Sequence, residues 1–217
     1  MARRLATLTL DSIGDLAAPC RECVFWELDP VSGERACREG AAALEKEAWV
    51  SDILLEWGCC GQIVYVDGAP AGHVLYAPPL YVPRAAAFAT SPAAADSVLL
   101  TAAHVLPRYQ GQGLGRMLVQ GMARDITRRG VRAVEAFGRS RTADPGRVSS
   151  CLPPAEFLLA VGFKTVRAHP TTPRLRLDIR SLVSLREDVE GALERLFGSF
   201  TPPVPALGVR PMTGEPR

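Results

Sequence analysis

Residues 107–118 read PRYQGQGLGRML. Gly111, Gly113 and Gly115 alternate with Gln112 and Leu114, directly after an apolar run and at the head of a helical pattern. A helix N-terminus offers unpaired backbone N–H groups and the positive end of the helix dipole. Glycines just ahead of it let the main chain curl and approach a ligand closely. The chemistry that suits such a turn is the binding of phosphate or pyrophosphate by main chain. The two best-known phosphate loops do not fit. A G-x-G-x-x-G fingerprint begun at Gly111 would need glycine at Arg116, and one begun at Gly113 would need it at Leu118. A P-loop begun at Gly111 also meets Arg116 where it requires glycine. Turn chemistry alone does not ask for glycine three times.

The elements that must position this turn are legible from pattern. Residues 98–106 form an apolar strand ahead of it. Residues 113–129 form a helix with Leu114, Met117, Leu118, Met122 and Ile126 on one side, Arg124, Arg128 and Arg129 elsewhere, and Gly130 as its stop. Residues 131–137 are the next strand. Two strands joined through a crossover helix should be parallel. Earlier, residues 5–10 alternate like a strand, and residues 39–57 read as a helix with Ala42, Trp49, Ile53 and Leu54 apolar and Glu45, Lys46, Glu47, Asp52 and Glu56 charged. Runs 63–66 and 71–76 flank Asp67-Gly68, a strong hairpin signal. Residues 77–96, rich in alanine and proline, read as a long connection, and 138–153 as a polar loop. A short helix at 155–161 and strands at 163–168 and 175–179 follow. Ser184-x-x-Glu187 resembles a capping box. It opens a helix with Leu185, Val189, Leu193 and Leu196 on one stripe, which packs on the protein's own sheet or joins a homodimer. The proline-rich stretch from Thr201 is expected to be disordered.

The chain has 217 residues, 47% hydrophobic and 22% charged, with net charge +2. That charge is too small to argue for nucleic acid or an anionic membrane. Arginine is strongly preferred, Lys46 and Lys164 being the only lysines. The start, MARRLATLTLDSIGD, lacks the sustained apolar run of a signal peptide, and no run approaches a membrane span. Six cysteines in no evident disulfide framework fit a reducing compartment, so a cytoplasmic protein is expected.

HVLPRYQGQGLGRML resembles the acyl-CoA signature of the GNAT superfamily of N-acyltransferases: Arg or Gln, two residues, Gly, one residue, then Gly or Ala. Here Gln110, Gly111, Gln112, Gly113, Leu114 and Gly115 carry it. The context matches too, with Val105, Leu106 and Pro107 ending the strand, an amphipathic helix following, FLLAVGFKTV leading into Gly162-Phe163, and the VDGAPAGHV hairpin. The resemblance covers roughly residues 60–180. It implies an α+β (α/β three-layer) fold: a mixed, mostly antiparallel sheet whose central parallel pair splays around acyl-CoA, helices on both faces, and here an extra C-terminal helix. It implies pyrophosphate on the N–H groups of residues 112–116 and pantetheine along the backbone at His104, Val105 and Leu106; Arg116, after the last glycine, is placed either to contact a phosphate or to face water. The domain would span 1–180, with 181–217 as helix and tail.

Acyl transfer from a thioester to an amine needs a neutral amine, a stabilised carbonyl oxygen and, helpfully, a proton donor for the leaving thiolate. In the family transfer is commonly direct, so no nucleophilic side chain is required. The family's usual acid, a tyrosine four residues before the Gly-Phe pair, is replaced by Leu158, and a frequent asparagine eleven before that glycine by Cys151. Cys151, with Ser149 and Ser150, is a candidate donor by position; a small buried residue is the plainer reading of it. His104, late in the strand, is the candidate base, since imidazole works near neutral pH. Period two puts it on one face, and the sequence leaves open which. His73, Asp96 and Glu135 are further possibilities.

PCRECVFWELDP is the other unusual stretch. Cys20-x-x-Cys23 has metal or redox spacing, but Cys37, Cys59, Cys60 and Cys151 do not complete a zinc pattern. CVFWEL also reads as an apolar strand. Phe25, Trp26, Trp49 and Trp57 suit a core, or the acceptor side that N-terminal helices shape in GNAT enzymes, where Glu22, Glu27 and Glu56 would favour a cation. The expected function is acetyl transfer from acetyl-CoA to an amine, small molecule or protein, with no metal and with neither nucleic acid nor membrane as partner. Two alternatives are an acyl-CoA-binding module with little turnover and a zinc- or redox-linked protein centred on Cys20 and Cys23.

Overall fold

The computed structural model describes residues 1–141 and 151–179. Ser149, Ser150, the 184–196 helix and the tail lie outside the described residues. Seven strands form one sheet: β1 (Arg3–Thr7), β2 (Gly61–Val66), β3 (Ala69–Ala77), β4 (Ser97–Val105), β5 (Ala133–Phe137), β6 (Lys164–Arg167) and β7 (Arg174–Asp178). Their order is β1-β2-β3-β4-β5-β7-β6. Every neighbouring pair is antiparallel except β4 and β5, which are parallel. The helices are α1 (Ala18–Arg21), α2 (Pro30–Arg38), α3 (Ala42–Glu56), α4 (Leu114–Arg128) and α5 (Ala155–Ala160). Among the described residues, no helix is long and apolar enough to cross a membrane.

The β2–β3 hairpin forms at Asp67-Gly68, where both residues have positive φ (+49° and +83°), as a two-residue turn that follows strand twist requires. The sheet then buries both faces. Leu114, Leu118, Met122 and Ile126 of α4 pack with Val74, Tyr76, Val98, Leu100, Val134 and Ala136 on one side. Trp49, Val50 and Ile53 of α3 pack with Ile63, Leu75, Leu99 and Phe137 on the other, joined by Val82 and Ala85 of the long connection. That connection is covered ground: it holds two 3-10 turns, Pro79–Tyr81 and Pro83–Ala87.

Three sequence expectations change. The first strand ends at Thr7, because Ser12 Oγ accepts from the Thr9 N–H (2.9 Å) and starts a 3-10 turn over Leu10–Asp15. The helix expected at 39–57 is α3, which starts later, at Ala42, after Gly40 with φ +71°, and a further helix, α2, precedes it. Asp29 begins α2, its Oδ1 accepting from Val31 N (2.9 Å) and Ser32 N (3.1 Å), with Pro30 at the first helical position. The stretch 23–28, read alternatively as a strand, is a turn region between α1 and α2.

Candidate active site

The parallel pair is short. β4 and β5 match only at Ser97–Leu99 against Ala133–Glu135. Beyond that, β4 runs on to Val105 beside β3 while β5 stays with β7, so the two strands part toward their C-terminal ends. A bulge at Thr101, whose Oγ1 donates to Leu75 O (3.1 Å), bends β4 where the parting begins.

The glycine turn lies at the end of β4. Gly111 (φ +74°) and Gly113 (φ +79°) occupy the left-handed region, and Gly113 caps α4. The first bond onto the helix runs from Met117 N–H to Gly113 O (3.1 Å). By helix geometry this leaves the N–H groups of Leu114, Gly115 and Arg116 for an outside acceptor. Gly115 serves differently: a Cβ there would stand 2.7 Å from the Phe157 ring, so its absence lets α5 close on the head of α4. The glutamines hold the turn, Gln110 Nε2 donating to Val105 O (3.1 Å) and Gln112 Nε2 to Arg108 O (3.2 Å). Arg116 Nη2 approaches Ala160 O at 3.5 Å.

His104 and His73 are cross-strand partners with rings 5.8 Å apart. Both lie on the α3 side of the sheet, in step with Ala102 and Leu75. His104 is half-buried, and desolvation lowers its pKa. His73 is 1% exposed, and burial brings its pKa down to about 3. Neither of its ring nitrogens has a partner among the described residues. It lines a cavity of about 220 Å³ with Asp15, Ala18, Pro70 and Leu106, the last at the end of β4.

The fold is shared with solved structures. PaiA N-acetyltransferase from Thermoplasma acidophilum, solved in complex with coenzyme A, superposes with TM-score 0.53 at 13% identity, covering 82% of this chain and 99% of that one. YncA from Salmonella typhimurium, a putative acetyltransferase solved with acetyl-CoA, gives 0.51 at 14%, covering 82% and 95%. The loading GNATL domain of CurA from Lyngbya majuscula gives 0.51 at 15%, covering 83% and 100%. No curated protein matches the sequence significantly. The model of the acetyltransferase (GNAT) family matches residues 24–144, more than half of the chain. The chain belongs to the GNAT family.

As a GNAT protein it is an acyltransferase, and Leu158 and Cys151 stand where the resemblance marks its usual tyrosine and a frequent asparagine. Leu158, at the usual tyrosine position, is fully buried in the α4-side core. Cys151 packs on the opposite face, its Sγ 3.1 Å from Cys23 Sγ. Cys20 is pushed up to about 11 by burial, the reverse of the low pKa that a reactive C-x-x-C thiol needs. Among the described residues no three His, Cys, Asp or Glu side chains are grouped to hold a metal. Asp96 and Glu135 are both engaged by Arg176, and Glu135 also by Arg174.

Three placements escaped the sequence reading. Lys46, read from the sequence only as a charged helix position, is 2% exposed and ion-paired with buried Glu27. That pairing uses up one of the glutamates considered for a cationic acceptor. Arg3 donates to Gln112 O (3.1 Å) and ties β1 to the glycine turn across 109 residues of sequence. Tyr76 and Asp125 bond at 2.9 Å beneath α4, and Arg129 joins Asp125 at 2.9 Å. Asp29-Pro30 was a readable signal for α2; for Arg3 and Lys46 no local signal exists.

Proposed function

We propose that the protein moves the acetyl group of acetyl-CoA directly to an amine acceptor, with residues 1–180 as the catalytic domain. The observation that carries this is the glycine turn at the mouth of the splay. Two left-handed glycines lead into the head of α4, whose first N–H groups have no acceptor within the helix, and this supports a pyrophosphate held by main chain. Acetyl-CoA supplies an activated acyl group as its thioester. The N–H groups of residues 112–116 bind its phosphates, with Arg116 beside them. The β4 main chain at Val105 and Leu106 guides the pantetheine arm. The amine nitrogen attacks the thioester carbonyl carbon as the carbon–sulfur bond breaks. His104 takes the proton from the amine, and Cys151 is the candidate donor to the departing sulfur. The α3 side, where His104 and the His73 cavity lie, is the side from which the acceptor enters.

The test is thermal unfolding with acetyl-CoA, free CoA or ATP, followed by thiol release across an amine panel. A ligand at ~100 times its Kd adds about 2.7 kcal/mol. A rise with acetyl-CoA and CoA but not ATP is expected; no rise with either at saturating ligand overturns the proposal. Burial of Leu158 where the family places its acid supports a second reading, an acyl-CoA-binding module with little turnover. A melting shift without thiol release from any amine would favour it.

A further inference from the structure

Cys23 and Cys151 stand 128 residues apart in sequence, yet their Sγ atoms are 3.1 Å apart. Both are half-buried, and all six cysteines are thiols. A disulfide holds its sulfurs near 2.05 Å, so about 1 Å of movement would close the bond. The two segments are already held side by side. Trp26, three residues past Cys23, directs its Nε1–H at Cys151 O (3.5 Å) and stacks on Phe88 (5.3 Å) and Phe137 (5.9 Å). The other thiols are placed differently. Cys59 bonds Tyr76 Oη and Gly61 O, Cys60 is fully buried, and Cys37 is exposed on α2.

We propose that Cys23 and Cys151 form a reversible disulfide, made by exchange with a low-molecular-weight disulfide, that straps the segment before α2 to the segment before α5. Either sulfur can donate in this contact, and the hydrogen bond to Cys151 together with burial raises the Cys23 pKa. The thiolate of either cysteine can make the first attack, Cys151 for instance. Its thiolate displaces one small thiolate and leaves a mixed disulfide on Cys151. Cys23 then gives up its proton and attacks the Cys151 sulfur, expelling the second small thiolate. The protein loses two protons and two electrons, and the small disulfide becomes two thiols. The bond forms whether or not the protein transfers acetyl groups, so its test needs no activity.

The full chain is incubated with glutathione disulfide, alkylated, and digested with trypsin without reduction. Cleavage after Arg21 puts Cys20 and Cys23 on different peptides. The expected map shows the Cys23 peptide joined to the Cys151 peptide, with Cys20, Cys37, Cys59 and Cys60 alkylated, and the link lost on treatment with dithiothreitol. A Cys20–Cys23 link, glutathione retained on Cys151 without an internal link, or six alkylated cysteines would each overturn the proposal. In Cys23→Ser, glutathione should stay on Cys151, because the Cys23 thiol that would displace it is gone. If that variant does not fold, the wild-type map decides alone.

Discussion

His73 and His104 meet ring to ring on one face of the sheet, and burial pushes the pKa of both downward. For His73 the folded value of about 3 lies below the ordinary 6.5. Between those values the unfolded chain binds a proton that the folded chain does not. The stability from a neutral His73 is therefore full above pH 6.5 and falls as the pH drops toward 3, by up to about 1.4 kcal/mol per pH unit. Urea midpoints measured from pH 7 to 4 should show this decline, and His73→Leu should flatten it. An unchanged slope in the variant would assign the decline to other groups. His104→Gln should lower kcat by roughly 10²- to 10⁴-fold while leaving the melting shift with acetyl-CoA intact. Because burial lowers the His104 pKa, the acid limb of the wild-type rate profile should lie below pH 6.5, and the variant should lose that limb.

The glycine turn works as an element because its three glycines have different duties. Gly111 and Gly113 supply backbone conformations that L-residues adopt only at a cost of order 1–3 kcal/mol. Gly115 supplies space, since a Cβ would lie 2.7 Å from Phe157. Gly113→Val should weaken acetyl-CoA binding at least tenfold by calorimetry, through loss of the left-handed cap. Gly115→Ala should instead lower the melting temperature first, by pushing α5 away from α4, and Phe157→Ala in the same chain should recover part of that loss. If the second change recovers nothing, the contact is not what Gly115 protects. The turn's motif was legible because the main-chain binding proposed for it demands residues without side chains. The different duty of Gly115 was not, because Phe157 is distant in sequence and reaches it only when α5 docks.

At the scale of the molecule, the turn region between α1 and α2 is fastened to α3 by Glu27 and Lys46, both nearly inaccessible to solvent. Removing one partner of a buried ion pair leaves an uncompensated charge, so Glu27→Ala should cost about 3–5 kcal/mol, measured by urea unfolding. The double variant Glu27→Leu, Lys46→Met should recover most of that; equal losses in both variants would mean that the pair contributes packing rather than charge. The same region carries Trp26 and Cys23 to the face of the sheet where Phe137 ends β5, so this fastening shapes the side from which the acceptor is proposed to enter.

The sequence alone determined the hairpin at Asp67-Gly68, the β4–α4–β5 crossover with its parallel strands, the glycine turn and the family it points to. Each is local: a turn residue, a period, or main chain that must do without side chains. Only the tertiary structure decided that His104 and His73 share the α3 side, because the Thr101 bulge resets the register on which period-two counting depends. Tertiary structure also put Lys46 in the interior, Arg3 against Gln112 and Cys23 against Cys151. Those contacts join residues far apart in the chain. No local propensity encodes them, and they exist only once the sheet and its covering helices have closed on one another.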